Sequence, residues 1–127
     1  MIKDMEITTG AYDKPLVTKG IFEESVTTLT IKWKQTHEGD DEISFYEIKM
    51  DKQTGVAVVR RSGQYTSELI FDTSKRTEGS IDTPYGTIKT DIKTSYITLP
   101  SVMSPKFEIS YEMGADDIKN VFAVKFI

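Results

Sequence analysis

Apolar and polar residues alternate with a period of two along much of the chain. In Phe107-Glu108-Ile109-Ser110-Tyr111-Glu112-Met113, four apolar residues alternate with three polar ones. One face of such a segment is dry and the other wet, as in a half-buried strand. Leu29, Ile31 and Trp33 alternate with Thr30, Lys32 and Lys34 in the same way. Tyr65, Ser67, Leu69 and Phe71 alternate with Thr66, Glu68 and Asp72, with Ile70 breaking the outer face. β-Branched and aromatic residues dominate the apolar set, and helical periodicity is weak. The pattern predicts about eight strands, near residues 3–9, 16–35, 43–50, 55–61, 65–73, 85–98, 106–113 and 118–127.

Turn chemistry separates these runs. His37-Glu38-Gly39-Asp40-Asp41 is a polar loop, and Asp51-Lys52-Gln53-Thr54-Gly55 ends in a glycine where a hairpin favours φ > 0. Ser62-Gly63, Gly79-Ser80, Tyr85-Gly86 and Gly114-Ala115-Asp116 punctuate likewise, and Pro100 and Pro105 bracket a connection. The 16–35 run is too long for one flat strand and is expected to bend or split at Gly20. In 43–50, Ile43 and Phe45 sit on one parity and Tyr46, Ile48 and Met50 on the other, which suggests a bulge. The final run, Val121 to Ile127, is apolar on both faces apart from Lys125. As an edge it would invite aggregation, whereas pairing with an early strand would close the sheet. The expected architecture is therefore all-β: a single antiparallel closed β-barrel, with a sandwich as the competing arrangement.

With 127 residues the chain is read as one domain, residues 1–127. It has no cysteine, which removes disulfides, thiolate nucleophiles and thiolate metal sites together. The net charge of −4 disfavours a general nucleic-acid binder and docking on an anionic membrane. No basic segment leads into an apolar run at the N-terminus, and no apolar run approaches a membrane span, so the expected location is the cytoplasm.

Motifs for chemistry are absent. The one histidine, His37, lies among acids without EF-hand spacing, and a solvated hairpin loop accounts for it better than a metal site. There is no G-x-S-x-G elbow and no phosphate loop. Neither a catalytic residue, nor a metal ligand, nor a cofactor is assigned. Arg60-Arg61, with Lys75-Arg76 and the intervening aromatics, resembles a stacking surface for single strands, but alternation sends the two arginines to opposite faces. One of them then faces the interior, where it needs a partner. Either an anionic ligand head group or a structural tie to a carboxylate or backbone carbonyls would serve.

From Val58-Val59-Arg60-Arg61-Ser62-Gly63 onward the chain resembles a known family. An Arg-x-Gly turn (Arg61-Ser62-Gly63) is followed by a strand and loop (Leu69 to Gly79). Then come an aromatic-Gly segment (Thr83-Pro84-Tyr85-Gly86), a Thr-rich strand (Ile88 to Thr94) and Ile109-Ser110-Tyr111. This order is similar to the YwiB-like family, bacterial proteins carrying a domain of unknown function with a calycin-like (lipocalin-like) barrel. At Trp33-Lys34-Gln35 the chain departs from it, with Gln35 where the family tends to show Glu. Pairing of that acid with the family's Arg inside the barrel would be weakened here. The resemblance implies an antiparallel barrel, a bacterial cytoplasmic home and no established activity.

Three kinds of function stay open. In the first, and favoured, the barrel binds a small amphipathic ligand without catalysis, with Arg61 near its polar end and Trp33, Tyr85 and Tyr111 lining it. In the second, the barrel is filled and works through its surface, for instance as a homodimer. The third is an enzyme using buried carboxylates or tyrosines, for which no motif speaks.

Overall fold

Ten antiparallel strands close into a barrel in the computed structural model, which describes residues 1–9, 14–36, 43–63, 65–114 and 119–127. They are β1 (Ile2–Thr8), β2 (Leu16–Glu24), β3 (Thr28–Thr36), β4 (Ile43–Asp51), β5 (Val56–Ser62), β6 (Thr66–Phe71), β7 (Thr77–Thr83), β8 (Gly86–Thr98), β9 (Lys106–Met113) and β10 (Lys119–Phe126). Each strand pairs with its neighbours in sequence, and β1 pairs with β10 through Met5↔Phe126 and Ile7↔Val124 to shut the barrel. The apolar last strand thus has no free edge, as its composition demands.

Two strands more than expected arise from particular residues. The 16–35 run does not break at Gly20. It turns at Ser25–Thr27, where the Ser25 hydroxyl accepts from the backbone N–H groups of Thr27 (3.2 Å) and Thr28 (3.0 Å). Lys52 reinforces the turn, reaching Glu24 and the Ser25 carbonyl at 2.8 Å each. Gly20 lies inside β2, where a Cβ would stand 2.4 Å from the Lys32 carbonyl and 2.7 Å from Met5 Cε. Gly79-Ser80 is likewise not a turn. It is the middle of β7, with Gly79 seated opposite Leu69 and Thr90. The bulge expected in 43–50 is absent: β4 pairs in unbroken register with β3 and β5, and the phase switch arises because Ile43 and Phe45 lie exposed on the outer face. A register shift sits instead in β8, between Thr94 and Tyr96. The hairpin glycines Gly55 (φ 77°) and Gly114 (φ 75°) adopt the left-handed conformation their turns require.

Inward parity gathers the core. Met5, Ile7, Leu29, Ile31, Trp33, Ile48, Phe71, Ile92, Phe107, Ile109 and Val124 are all at most 4% exposed and form one cluster. Among the described residues these side chains pack the body of the barrel.

Candidate functional site

Strand parity settles the direction of the two adjacent arginines. β5 places Ala57 and Val59 in the core, so Arg61, two residues on, also points inward, while Arg60 points out. Outside, Arg60 pairs with Glu68 (2.9 Å) and Glu47 (3.7 Å), and its guanidinium is held further toward the charged form by the Glu68 hydrogen bond and charge. Inside, Arg61 stands in register with Tyr46 of β4 and Ser67 of β6.

Aromatic rings flank the Arg61 guanidinium. Its centre is 5.6 Å from the Tyr46 ring and 5.7 Å from the Tyr65 ring, within the range of cation–π attraction. Arg61 Nη2 donates to the Ser44 hydroxyl at 3.4 Å. Behind Tyr46 lies Trp33, its ring parallel to the tyrosine within 2° at 5.1 Å, and behind Trp33 lies Phe122 of β10 at 6.1 Å. Trp33 Nε1 donates to Gln35 Oε1 at 3.4 Å, so the amide at position 35 serves the indole while remaining buried. A row of rings therefore runs through the interior from β10 by way of β3 and β4 to one cation at the barrel mouth.

The mouth opens into a cavity of about 450 Å³ lined by Arg61, Tyr65, Ser67, Ile81, Thr83, Tyr85 and Ile88. The β7–β8 hairpin forms its outer wall, with Ile81 and Ile88 paired across the two strands. Tyr85, at the hairpin tip, is fully exposed. Among the described residues the lining carries one positive group, four hydroxyl-bearing side chains (Tyr65, Ser67, Thr83 and Tyr85) and two isoleucines, with no carboxylate.

Of the four residues singled out in the sequence, the structure brings Arg61 and Tyr85 to this cavity. Trp33 supports it from behind, through Tyr46. Tyr111 belongs elsewhere: it packs edge-on against Phe71 at 5.0 Å, and burial raises its phenol pKa. Phe71 pairs with Ala57, four residues along β5 from Arg61 and hence about 13 Å down the barrel. Tyr46 and Ser44 were not singled out, although Tyr46 shares the parity of the core residues Ile48 and Met50. The loop containing His37, Glu38, Asp40 and Asp41 lies outside the described residues. Among the described residues no group of His, Asp or Glu is placed to hold a metal ion.

Comparison with known proteins agrees with the fold. The model of a family described as a domain of unknown function, DUF1934, matches residues 4–121. The crystal structure of the ywiB protein from Bacillus subtilis superposes with a TM-score of 0.69 at 16% identity, over 97% of this chain and 87% of that one. No curated protein matches.

Proposed function

Since the chain belongs to the DUF1934 family, whose function is unassigned, its working site is read from its own geometry, and we propose that it is a ligand-binding barrel without catalytic chemistry. The ligand is a small amphipathic anion held at the barrel mouth. The observation that carries this reading is the cavity itself: one guanidinium, a set of hydroxyls and a pair of isoleucines converge on about 450 Å³ with no carboxylate in the lining. That volume falls within the range of small-molecule sites. Arg61 meets the anionic head, Ser67 and Thr83 offer hydrogen bonds beside it, and Ile81, Ile88 and the face of Tyr65 cover an apolar tail. Tyr46 and the row of rings behind it hold the guanidinium in place, which lowers the entropy lost on binding.

A medium-chain carboxylate and the neutral alcohol of the same length make the test, measured by calorimetry on the full chain. The carboxylate is expected to bind at least about tenfold more tightly, since a hydrogen bond to a charged group contributes about 1.5–3 kcal/mol. Arg61→Gln is expected to erase that preference while leaving weak binding of the alcohol. Equal affinity for the two probes, or a preference that survives in Arg61→Gln, would overturn the assignment. Native mass spectrometry of protein purified gently from its own host would then give the mass of any resident ligand.

A further inference from the structure

A second concavity, of about 700 Å³, is lined only by the five consecutive strands β2 to β6. Residues of outward parity, Lys32 and Lys34, Phe45 and Glu47, Arg60 and Ser62, flank the inward-parity Trp33, Tyr46 and Arg61 in its lining, so it lies on the outer face, with the backbone of those three strands as its floor. Cross-strand register sorts its outward side chains into two rungs. The first runs Ile21, Lys32, Glu47, Arg60, Glu68. Its charges neutralise one another: Lys32 to Glu47 at 3.6 Å, Glu47 to Arg60 at 3.7 Å, Arg60 to Glu68 at 2.9 Å.

The neighbouring rung differs in kind. Lys34, Phe45 and Ser62 stand in register, flanked by Lys19 and Thr66. It holds two cations, one aromatic ring and two hydroxyls; a carboxylate enters only at its β1 end, where Asp4 lies 4.0 Å from Lys19. Phe45 is 48% exposed, an uncommon state for a large aromatic on a strand, and the Lys34 ammonium lies 5.6 Å from its ring centroid. An apolar plane and a positive charge are thus offered to solvent together. The rung from Lys34 to Thr66 crosses three strand spacings, about 14 Å, the reach of a small molecule.

We propose that this outer groove is a second binding site, distinct from the barrel mouth, for a small planar aromatic anion of the nucleoside monophosphate class. Its ring stacks on Phe45, its anionic group sits at Lys34 with Lys19 beside it, and its hydroxyls meet Ser62 and Thr66. A single exposed ring in the rung provides for one base. The self-neutralised first rung and the net charge of −4 deny the long basic track that a nucleic-acid strand follows.

The test is a ¹H–¹⁵N NMR titration of the full chain with adenosine monophosphate, with adenosine and inorganic phosphate as separate probes. The nucleotide is expected to shift the amides of Lys34, Phe45 and Ser62 and to bind several-fold more tightly than either fragment. Phe45→Ala and Lys34→Gln, both at exposed positions, are each expected to weaken it by about fivefold or more, while Tyr85→Ala, at the fully exposed tip of the β7–β8 hairpin and outside the groove, leaves it unchanged. The proposal is overturned if those amides do not move, if shifts are confined to residues 81–88 at the mouth, or if phosphate alone reproduces the response. A short oligoadenylate binding far more tightly than the mononucleotide would overturn it as well, in favour of a strand-binding face.

Discussion

Gly20 and Gly55 show how differently one residue type is used. At Gly20 a Cβ would meet the Lys32 carbonyl at 2.4 Å and the Met5 side chain at 2.7 Å, and backbone cannot give way as a side chain can. Gly20→Ala is expected to cost about 1–3 kcal/mol or more through overpacking. At Gly55 nothing lies within 4 Å, so Gly55→Ala costs only the left-handed conformation, about 1 kcal/mol. Urea unfolding of the two variants decides, and a smaller loss at Gly20 than at Gly55 would contradict this account. The arginines at the mouth teach a related lesson. Alternation alone implies that Arg60 and Arg61 face opposite ways. Which one faces in follows only once Ala57 and Val59 are known to be core. Trp33 and Tyr111 share inward parity with Arg61, yet a period of two reports the face of a strand and not the height along the barrel. Tyr111 therefore joined Phe71 in the core, and Tyr46 took the place beside the cation.

Among the elements, β7 was the one the chain concealed. Thr77–Thr83 contains a single large apolar residue, Ile81, and its Gly79 and Ser80 read locally as a turn. It becomes a strand because β6 and β8 are aligned on either side, and because Leu69 occupies the space that a side chain at position 79 would need. The strands with strict alternation, β3 and β9, and β6 with its one break at Ile70, were legible because each carries its own apolar face. The turn between β6 and β7 is organised by Asp72, whose carboxylate accepts from the Ser74 hydroxyl (2.6 Å) and the Ser74 N–H (2.9 Å). These bonds, the hydroxyl's first and aided by Lys75, lower its pKa. A carboxyl lowered in the folded state contributes stability that is present above its unfolded value, near 4, and lost as pH falls through the folded one. Asp72→Asn is therefore expected to reduce stability at neutral pH and to flatten its decline on acidification. Urea midpoints followed from neutral pH to about pH 3 test this, and an unchanged acid slope would remove Asp72 from the account.

At the scale of the whole molecule, the contact that matters most is the one between the two ends of the barrel. Nine of the ten ladders join strands adjacent in sequence, and the tenth joins Met5 to Phe126. Neighbouring hairpins close short loops, whereas this last ladder must bring together nearly the whole chain, and its entropy has to be lost before any contact repays it. Closure should come late in folding. Val124, fully buried between Ile7 and Phe107, reports on it. Val124→Ala removes two methyl groups' worth of core and is expected to cost about 1–3 kcal/mol. If closure follows the transition state, nearly all of that loss will appear as faster unfolding, with a φ-value of about 0–0.3. Ile48, fully buried in the middle strand of the β3–β4–β5 meander, offers the contrast: Ile48→Val should slow folding by a larger share of its own cost. Stopped-flow chevrons of both variants separate the two orders of events. A folding arm slowed in Val124→Ala as much as its stability falls would mean that the ends meet first and the meander is laid down between them.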